Sequence, residues 1–494
     1  MLKNTLENLK HNIIEKPNDK QAVDKLANAY AQLKDWHKAC VCYAEYLQKV
    51  PDDAEGYFNY AYNLRFAGKY EQAIVEYRKA LALNISQPEE IHVNIAVILA
   101  DYLRREECAI EELECALKIN NNYVPALYNL ANLYEDSGNK QKAEHLFLTI
   151  ITIDPQYYDA LARLAQITSF SIIDDSLIHK LIVADNNKNI DISTKINVNF
   201  ALGKAFDECG DYDRAFSYFE TANQLTQATM PAYKPEINEQ FIDKIKDVFN
   251  NIKVNKLKCV SDAEPIFICG MFRSGSTLVE QILAAHPKLT AGGEREYFIR
   301  LVESSLAPFP TSLLNTALEK FEVIAQEYLV DLIKAFPDAE RVIDKRPENF
   351  LFVGLIKILF PKARIVYTQR NILDNCLSVY FLRLGVRMNY SLTLSSTLHY
   401  YKMHAHLMDF WKSQYNDSIH TISYDKLVKQ PEEEIKHLLT FLGLDWDANC
   451  LNFHQIKNKV KTASVWQVRK PLYSTSSGRW KNYEKHLSDL IHST

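Results

Sequence analysis

PIFICGMFRSGSTLVEQIL, residues 265–283, joins two kinds of secondary structure in one short segment. Its first part, PIFICG, is a continuous apolar run that ends in glycine, which is typical of a strand buried on both faces of a parallel sheet. The part from Ser276 onward has the composition of a helix, and Pro287 would stop that helix. The segment therefore predicts a strand, a glycine-containing turn and a helix, which together form the building unit of an α/β domain.

The turn between the strand and the helix has the features of an anion-binding site. Backbone N–H groups at a helix start have no intrahelical partner, and the helix dipole favours negative charge there. Gly275 lets the backbone come close to an oxyanion, and Arg273 can add a charge-assisted hydrogen bond. Gly270 and Gly275 have the spacing of a nucleoside-triphosphate loop, but Ser276 stands where that loop has lysine. The turn therefore fits one short anion better than a triphosphate with magnesium.

FRSGSTL after an apolar strand resembles the 5′-phosphosulfate loop of sulfotransferases, enzymes that use 3′-phosphoadenosine-5′-phosphosulfate (PAPS). The resemblance implies that the 5′ end of this donor is held by Arg273, Ser274, Gly275, Ser276, Thr277 and Leu278. The alternative is a helix N-terminus that is capped by Ser and Thr and binds no ligand.

A second segment, RIVYTQRNILDNCLSVYF at residues 364–381, begins with another apolar strand. Arg370 follows this strand, and Ser378 comes eight residues later. In sulfotransferases an Arg and a Ser at this spacing bind the 3′-phosphate of the donor, and a guanidinium fork suits a phosphate chemically. The alternative is a surface ion pair between Arg370 and Asp374 on one helix face.

Two segments nearer the C-terminus resemble the same family. SYDKLVKQPEEEIKHLLTFLGLDWD, residues 423–447, has the Tyr-acidic-x-Leu start and the Phe-Leu-Gly end of a family unit, and SSGRWKNY, residues 476–483, resembles its late loop. The resemblance implies that Tyr424 packs on the adenine, and an ordinary core position is the alternative for this residue. The late-loop residues that it places near the adenosine 3′ side are Ser476, Ser477, Gly478, Arg479, Trp480 and Lys481.

The candidate general base lies in HPKLTAGGEREYF, residues 286–298. A glutamate after His-Pro and glycine resembles the protein-tyrosine branch of the sulfotransferases, and the resemblance implies that Glu294 is the base. Glu296 is its rival, and a pair of surface acids beside Arg295 is the alternative to both roles. His286 lies before a proline at a helix end and is predicted to be structural.

DKRPENF, residues 344–350, resembles the segment that carries a catalytic lysine in the same branch. The resemblance implies that Lys345 contacts the oxygen that bridges the sulfuryl group and the leaving phosphate. Lys-Arg-Pro stands here where the branch has Lys-Asp-Pro, and Arg346 is a candidate substrate contact. With Glu294 and Arg273, Lys345 completes the predicted catalytic set, because charge that develops during transfer needs positioned cations.

The N-terminal half of the chain repeats itself with a period of about 34 residues. Each unit has a small residue in its first helix, an aromatic residue or Leu three later, an Ala in its second helix and an aromatic residue four beyond that Ala. Clear copies carry Ala27, Tyr30, Ala39 and Tyr43; Ala131, Tyr134, Ala143 and Phe147; and Gly203, Phe206, Ala215 and Phe219. Another copy, with Ala96, Leu99 and Ala109, has one extra residue. The pattern resembles the tetratricopeptide repeat, in which small residues let paired helices approach closely.

These patterns predict a chain in two parts, an all-α tetratricopeptide solenoid followed by an α/β, P-loop-like domain with a central parallel sheet. We place the repeat array at residues 1–235, a linker helix at 236–260 and the sulfotransferase domain at 261–494. Within the linker, residues 236–257 have the pattern of a helix. HTISY, residues 420–424, is the third predicted strand of the sheet.

Composition and charge fit a cytoplasmic protein. Residues 1–250 carry 26 Lys and Arg against 37 Asp and Glu, whereas residues 251–494 carry 31 against 25, which favours an anionic ligand for the second half. The sequence has no polybasic stripe for nucleic acid, no apolar run long enough for a membrane span and no signal-peptide core at its start. The nine cysteines, which include Cys259, lack zinc-site spacing and are predicted to be reduced thiols.

The predicted function is transfer of a sulfuryl group from PAPS to an acceptor hydroxyl, with 3′-phosphoadenosine-5′-phosphate (PAP) as product and without a metal ion. The Glu base and the repeats, which commonly bind peptides in grooves, favour a protein or peptide tyrosine held by the repeat array. A carbohydrate or small-molecule hydroxyl is the alternative acceptor. Two other classes stay open, a P-loop kinase and a non-catalytic repeat scaffold with a relic domain.

Overall fold

A computed structural model of the chain describes residues 2–15, 18–252, 260–455, 468–469, 471–473 and 475–493. The chain divides into two compact units, Met1–Ala160 and Leu161–Thr494. Residues 161–235, which the sequence places in the repeat array, are part of the second unit. The boundaries that we expect at 235/236 and 260/261 stay a prediction.

The first unit is built from helices that pack in consecutive pairs. They are α1 (Leu2–Glu15), α2 (Lys20–Gln32), α3 (Trp36–Lys49), α4 (Ala54–Phe66), α5 (Tyr70–Ala82), α6 (Pro88–Val97), α7 (Glu106–Ile119), α8 (Val124–Asp136) and α9 (Lys140–Ile153). The small residues of the repeat, such as Ala27, Ala61 and Ala131, are almost fully buried, as close packing of paired helices requires. A five-residue π-helical segment, Ile98–Tyr102, follows α6 and takes up the extra residue of that repeat.

The division between the units falls within α10 (Tyr158–Ile167). The next helices of the second unit are α11 (Ser176–Asp185), α12 (Ile192–Glu208), α13 (Tyr212–Gln227) and α14 (Pro235–Asn251). The α12–α13 pair is the last copy of the repeat, and a Cβ atom on Gly203 would lie 2.7 Å from the ring of Phe219. The predicted helix of the linker is present as α14, although residues 253–257 and Cys259 lie outside the described residues. Ile242, Ile245 and Phe249 of α14 are buried in the core of the sheet-containing part.

A five-stranded sheet forms the centre of this unit. Its strands are β1 (Ile266–Gly270), β2 (Leu289–Ala291), β3 (Arg341–Lys345), β4 (Arg364–Gln369) and β5 (Ile419–Ser423), in the order β2-β3-β1-β4-β5. Every neighbouring pair of strands is parallel. The predicted central parallel sheet is therefore confirmed, and the three predicted strands correspond to β1, β4 and β5.

Helices cover both faces of the sheet. They are α15 (Ser276–Ala284), α16 (Tyr297–Glu303), α17 (Leu318–Ala335), α18 (Val353–Leu359), α19 (Ile372–Tyr380), α20 (Leu394–Tyr415), α21 (Tyr424–Leu427), α22 (Pro431–Phe441) and α23 (Ser488–Ser493). Short 3₁₀ segments include Pro347–Leu351, Val386–Leu392, Ala448–Gln455 and Arg479–His486. Alternate residues of β1 enter two separate cores, Phe267 and Cys269 on one face and Ile266 and Ile268 on the other. This burial on both faces explains the continuous apolar run of β1.

The strand order places a crevice at the carboxyl ends of β1 and β4. The chain leaves β1 towards β2 and β3, whereas it leaves β4 towards β5 on the other side. Ligands of open parallel sheets bind where neighbouring strands send their connections in opposite directions. Apart from the late loop, each sequence segment selected for chemistry ends or follows a strand, so the fold directs these segments to the same edge of the sheet.

Two general properties of the described residues also bear on the predictions. No described helix combines the length and the apolar character needed to cross a lipid bilayer. The eight cysteines within the described ranges are unbridged thiols.

Candidate active site

The loop after β1 has a backbone that favours glycine at two of its positions. Gly270 has φ +156° and Gly275 has φ +101°, and Arg273 between them also adopts a left-handed conformation, with φ +68°. A Cβ atom on Gly270 would lie 2.5 Å from the carbonyl oxygen of Thr368, and one on Gly275 would lie 2.8 Å from the ring of Tyr424. Both glycines are therefore required by conformation and by space. The non-glycine left-handed residue costs on the order of 1 kcal/mol and marks the loop as a functional candidate.

This loop forms one wall of a cavity of about 810 Å³, a volume that includes open solvent at its mouth. The predicted residues that line it are Arg273, Gly275, Ser276, Thr277, Leu278, Glu294, Arg370, Ser378, Tyr424, Ser476 and Arg479. Segments that lie up to about two hundred residues apart in the sequence thus meet at one site.

Ser274 is the one predicted residue of the phosphate loop that is not on the cavity wall. It is 1% exposed, and its hydroxyl lies 2.6 Å from the hydroxyl of Thr368 on β4. Thr368 in turn donates to the carbonyl oxygen of Cys269 on β1, at 3.2 Å. The Ser274 side chain therefore ties the loop to two strands, and only its backbone is available to a ligand.

Arg273, Arg370 and Ser378 meet as the two cofactor segments predict. Arg273 Nε donates to the Ser378 hydroxyl at 3.1 Å, and the Arg370 guanidinium lies 4.9 Å from the centre of the Tyr424 ring. Burial, with the nearby charge of Arg370, lowers the pKa of Arg273 to about 10. The Nε of Arg370 is buried and has no hydrogen-bond partner among the described residues. Two half-buried guanidinium groups, one of which has this buried and unsatisfied N–H, form a site that an anion would stabilise.

Asp374 is not the surface partner of Arg370 that the alternative interpretation required. It is 2% exposed, and its carboxylate accepts the backbone N–H of Gly478 at 2.6 Å and of Trp480 at 2.8 Å. These bonds fasten the late loop to α19, the helix that carries Ser378. The hydroxyl of Ser477 donates to Asp425, beside Tyr424.

The late loop divides its residues between the cavity and its outer side. Ser476 and Arg479 line the cavity, and Gly478 turns the backbone between them with φ +78°. Ser477, Gly478, Trp480 and Lys481 are not on the wall, and Lys481 is exposed. Of the six late-loop residues that the resemblance places near the adenosine 3′ side, Ser476 and Arg479 are therefore the two that lie on the cavity wall.

The candidate base and the candidate lysine form an ion pair in which only the lysine is buried. Lys345 Nζ donates to Glu294 Oε1 at 2.7 Å, and the Lys345 side chain is fully buried behind Glu294, which lines the cavity. Glu296 is exposed and lies outside the wall, and Arg295 pairs with Asp331. Of the two rival glutamates, Glu294 is therefore the one that faces the cavity.

Glu280 is a member of this group that the sequence interpretation missed. This residue of α15 is 2% exposed, accepts the Gly293 N–H at 2.9 Å, and has its other oxygen 3.9 Å from Lys345 Nζ. Burial raises the pKa of Glu280 to about 7, although Lys345 opposes the rise. The sequence signal that could have identified Glu280 is its position as the single charged residue in the otherwise mostly apolar helix α15.

Two other residues near the site have structural partners. His286 is 4% exposed, one of its ring nitrogens accepts the Lys288 N–H at 3.2 Å, and the other lies 3.2 Å from the Asp445 carbonyl oxygen. Arg346 pairs with Glu348 at 3.3 Å and donates to the Arg295 carbonyl at 3.4 Å. Within the ranges that the structure describes, no group of three or more His, Cys, Asp or Glu residues is arranged to hold a metal ion.

Comparison with known proteins gives matches to both parts of the chain. Residues 265–448 match the model of the sulfotransferase family. Tetratricopeptide-repeat models match residues 21–53, 54–84, 124–157 and 196–229. Among solved structures, the sulfotransferase domain of the Synechococcus PCC 7002 olefin synthase is 21% identical and covers 45% of this chain and 90% of that domain, with a TM-score of 0.35.

Two curated relatives share longer alignments. An uncharacterized protein of Aquifex aeolicus is 30% identical over 390 residues, which cover 75% of this chain and 50% of that protein. A protein-tyrosine sulfotransferase of Drosophila melanogaster is 26% identical over 243 residues, which cover 44% of this chain and 46% of that protein. The chain thus spans about half the length of these two relatives. From the family matches, the chain carries tetratricopeptide repeats and, at residues 265–448, a domain of the sulfotransferase family.

Proposed function

We propose that the protein transfers a sulfuryl group from PAPS to an acceptor hydroxyl and releases PAP. The observation that carries the proposal is the meeting of Arg273, Ser378 and Arg370 on one cavity wall, beside a loop whose two glycines leave no room for side chains. The sequence predicts the 5′ and 3′ sites from separate segments. Their convergence supports a ligand with an anionic group at each end.

The residues present fit this donor. The loop after β1, with the start of α15, suits the 5′ end, because its backbone is open at Gly275 and Arg273 is adjacent. Arg370 and Ser378 suit the 3′-phosphate, and Arg479 is a third cation on the same wall. Tyr424, which already lies under the Arg370 guanidinium, offers an aromatic face for the adenine. When bound, PAPS supplies the sulfuryl group and a phosphate leaving group.

The chain's own residues divide the remaining work. Glu294 is placed to accept the proton of an acceptor hydroxyl, since its carboxylate lines the cavity. Lys345 and Arg273 hold positive charge close to the place where negative charge develops. A phenol has a pKa near 10 and a carboxyl group one near 4, so proton transfer to Glu294 must accompany bond formation rather than precede it.

For the acceptor we propose a tyrosine of a protein or peptide, held by the repeat array. The relative from Drosophila melanogaster is named a protein-tyrosine sulfotransferase, and Glu294 and Lys345 match the motifs of that branch. Repeat solenoids commonly offer extended concave surfaces to peptides. A carbohydrate or small-molecule hydroxyl remains the second candidate, and an acceptor screen with labelled donor separates the two.

The test of the donor site is a calorimetric titration of the full chain with PAP and with ATP, each with and without magnesium. We expect micromolar binding of PAP without magnesium and at least tenfold weaker binding in Arg370→Ala, because the bidentate contact is lost. Arg387→Ala is the matched control, since this arginine is 69% exposed and pairs with Glu303 at the surface. Tighter magnesium-dependent ATP binding would point to a kinase, and binding of neither nucleotide to the scaffold alternative.

A further inference from the structure

The last repeat of the chain packs against the two elements that carry the 3′ side of the cavity. Helix α13 contacts the end of α19, the helix that bears Ser378. Both α12 and α13 contact the 3₁₀ helix Arg479–His486, which begins with Arg479. All four elements belong to the second compact unit. The contacts include hydrogen bonds between buried polar groups and stacked aromatic rings.

Asp207, near the end of α12, makes the contact closest to the cavity. Its carboxylate is 13% exposed and accepts from the Arg479 guanidinium, and its other oxygen accepts the hydroxyl of Tyr483 at 2.5 Å. Tyr483 is fully buried and lies in edge contact with Tyr212 of α13. Both carboxylate oxygens of Asp207 are therefore used by the late loop.

A second group of contacts fastens α19 to the same repeat. Asn223 of α13 is fully buried and donates to the Tyr380 carbonyl oxygen at 2.8 Å. The rings of Phe219 and Phe381 are stacked with their centres 4.0 Å apart. Ser378 lies two residues before Tyr380, so the repeat supports the helix segment that holds this hydroxyl.

Arg479 needs an oriented partner more than the other cavity arginines do. Its side chain is 34% exposed, and it faces the charges of Arg273 and Arg370, which repel it towards solvent. Burial lowers its pKa, but the charge of Asp207 and its hydrogen bond outweigh burial and raise that pKa above the ordinary value. A long side chain with about 2 kcal/mol of rotamer entropy is thus fixed in place before any ligand arrives.

We propose that the last repeat is part of the donor site, and that Asp207 is a positioning residue that aims Arg479 at the 3′-phosphate end of the donor. This inference rests on the proposed sulfotransferase function. A tetratricopeptide repeat thereby positions Arg479, a side chain of the cavity wall that belongs to the late loop. If Asp207 acted only through its charge, its removal would strengthen PAP binding, because the loss of a carboxylate near an anion site increases the attraction for anions. A positioning role predicts weaker PAP binding instead.

The test is a double-mutant cycle on the full chain, read by calorimetric titration with PAP. We expect Asp207→Asn to weaken PAP binding about five- to tenfold and Arg479→Ala to weaken it by at least as much. In the double variant, Asp207→Asn should add no further loss, because its effect passes through Arg479. A merely structural role would give the same factor in both backgrounds. Asp213→Asn is the matched control, since Asp213 pairs with Lys485 and His486 at the surface of the same junction and should leave the affinity unchanged.

Tyr483→Phe is the second variant, in case Asp207→Asn does not fold. It keeps the buried ring and removes the hydroxyl, which donates to Asp207 and also accepts from Arg479. Both bonds hold Arg479 in place, so we expect a two- to threefold loss of PAP affinity that also vanishes in Arg479→Ala. Unchanged or tighter PAP binding in Asp207→Asn overturns the inference, and so does an equal loss in both backgrounds. Failure of the wild-type chain to bind PAP is a different result, which overturns the proposed function itself.

Discussion

Glu280 is a buried carboxyl group whose cost to stability depends on pH. Burial raises its pKa to about 7, whereas an unfolded glutamate titrates near 4.3. Its contribution to stability is therefore fully present below about pH 4 and is lost as the pH rises towards 7. Glu280→Gln, which stays neutral and can still accept the Gly293 N–H, should remove this loss and be more stable than the wild type at pH 7.5, by on the order of 1 to 3 kcal/mol.

The measurement for Glu280 is the melting temperature of both proteins between pH 4.5 and 7.5. The wild type should lose stability relative to Glu280→Gln across this range, since only the wild type has a carboxyl group to ionise at position 280. Glu433→Gln on α22 is the control, because Glu433 is exposed. Parallel curves for wild type and Glu280→Gln would show that the carboxyl group ionises without cost in the folded protein.

Glu294 and Glu296 provide a second test at the scale of single residues. Both side chains are exposed, but Glu294 lines the cavity and accepts from Lys345 at 2.7 Å, whereas Glu296, at the start of α16, is not on the cavity wall. If Glu294 is the general base, Glu294→Gln should lower kcat for sulfuryl transfer about 10²- to 10⁴-fold and leave PAP affinity within about threefold. Glu296→Gln should stay near wild type. A large kcat loss in Glu296→Gln instead would reassign the base.

At the scale of residues, the sequence shows which residue types are present and how they are spaced, but not how deeply each side chain is buried. The motifs indicate that Glu294, Lys345 and Arg273 lie at one edge of the sheet, because each residue ends or follows a strand. Their catalytic roles stay a prediction. The motifs do not show that Lys345 lies fully behind Glu294, or that Ser274 turns its hydroxyl to Thr368. The direction of each of these side chains depends on how its backbone packs against the neighbouring strands, which the sequence alone does not show.

At the scale of elements, the loop after β1 is the feature most sensitive to a single methyl group. Gly275 combines φ +101° with a Cβ position 2.8 Å from the Tyr424 ring, so Gly275→Ala must move either the loop or the ring. We expect PAP affinity to fall at least tenfold in this variant. Gly443→Ala is the matched control, because Gly443 has φ +69° and open space around its Cα. It should cost about 1 kcal/mol of stability and leave PAP affinity unchanged. Equal affinities for PAP in the two variants would show that the loop does not contact the ligand.

The two strands that the sequence did not predict, β2 and β3, were missed for the same physical reason, which is that neither has a long apolar run. β1, β4 and β5 are recognisable because their residues are mostly apolar. β2 is only three residues long, and β3 has charged residues, Asp344 and Lys345, at its buried end. Asp344 accepts from Tyr328 and Asn349, and Lys345 donates to Glu294, so each charged residue has a partner where it is buried. With these two residues, β3 lacks the apolar run by which an ordinary buried strand is recognised in a sequence.

At the scale of the whole molecule, the sequence predicts two architectures correctly but does not show how the second unit is assembled. Periodicity identifies α12–α13 as one more repeat and the pattern of 236–257 as a helix. Neither pattern shows which surface a helix packs against, because amphipathic helices look alike whether they face another repeat or a sheet domain. The residues of α14 that appear as one apolar stripe are core residues of the sheet-containing part.

The packing of α14 and the last repeat in the second unit predicts which fragments of the chain fold. α14 buries Ile242, Ile245, Val248 and Phe249, each worth about 1.5–3 kcal/mol, which together approaches the whole net stability of a typical domain. A fragment of residues 261–494 should therefore fail to fold, whereas residues 158–494 should fold and bind PAP within about threefold of the full chain. Residues 235–494 keep α14 but lack Asp207, so they should bind PAP at least as weakly as Asp207→Asn. Circular dichroism and PAP titration of the three fragments measure these outcomes. A folded, PAP-binding 261–494 fragment would instead support the boundary expected from the sequence, and would show that neither α14 nor the last repeat is needed for the donor site.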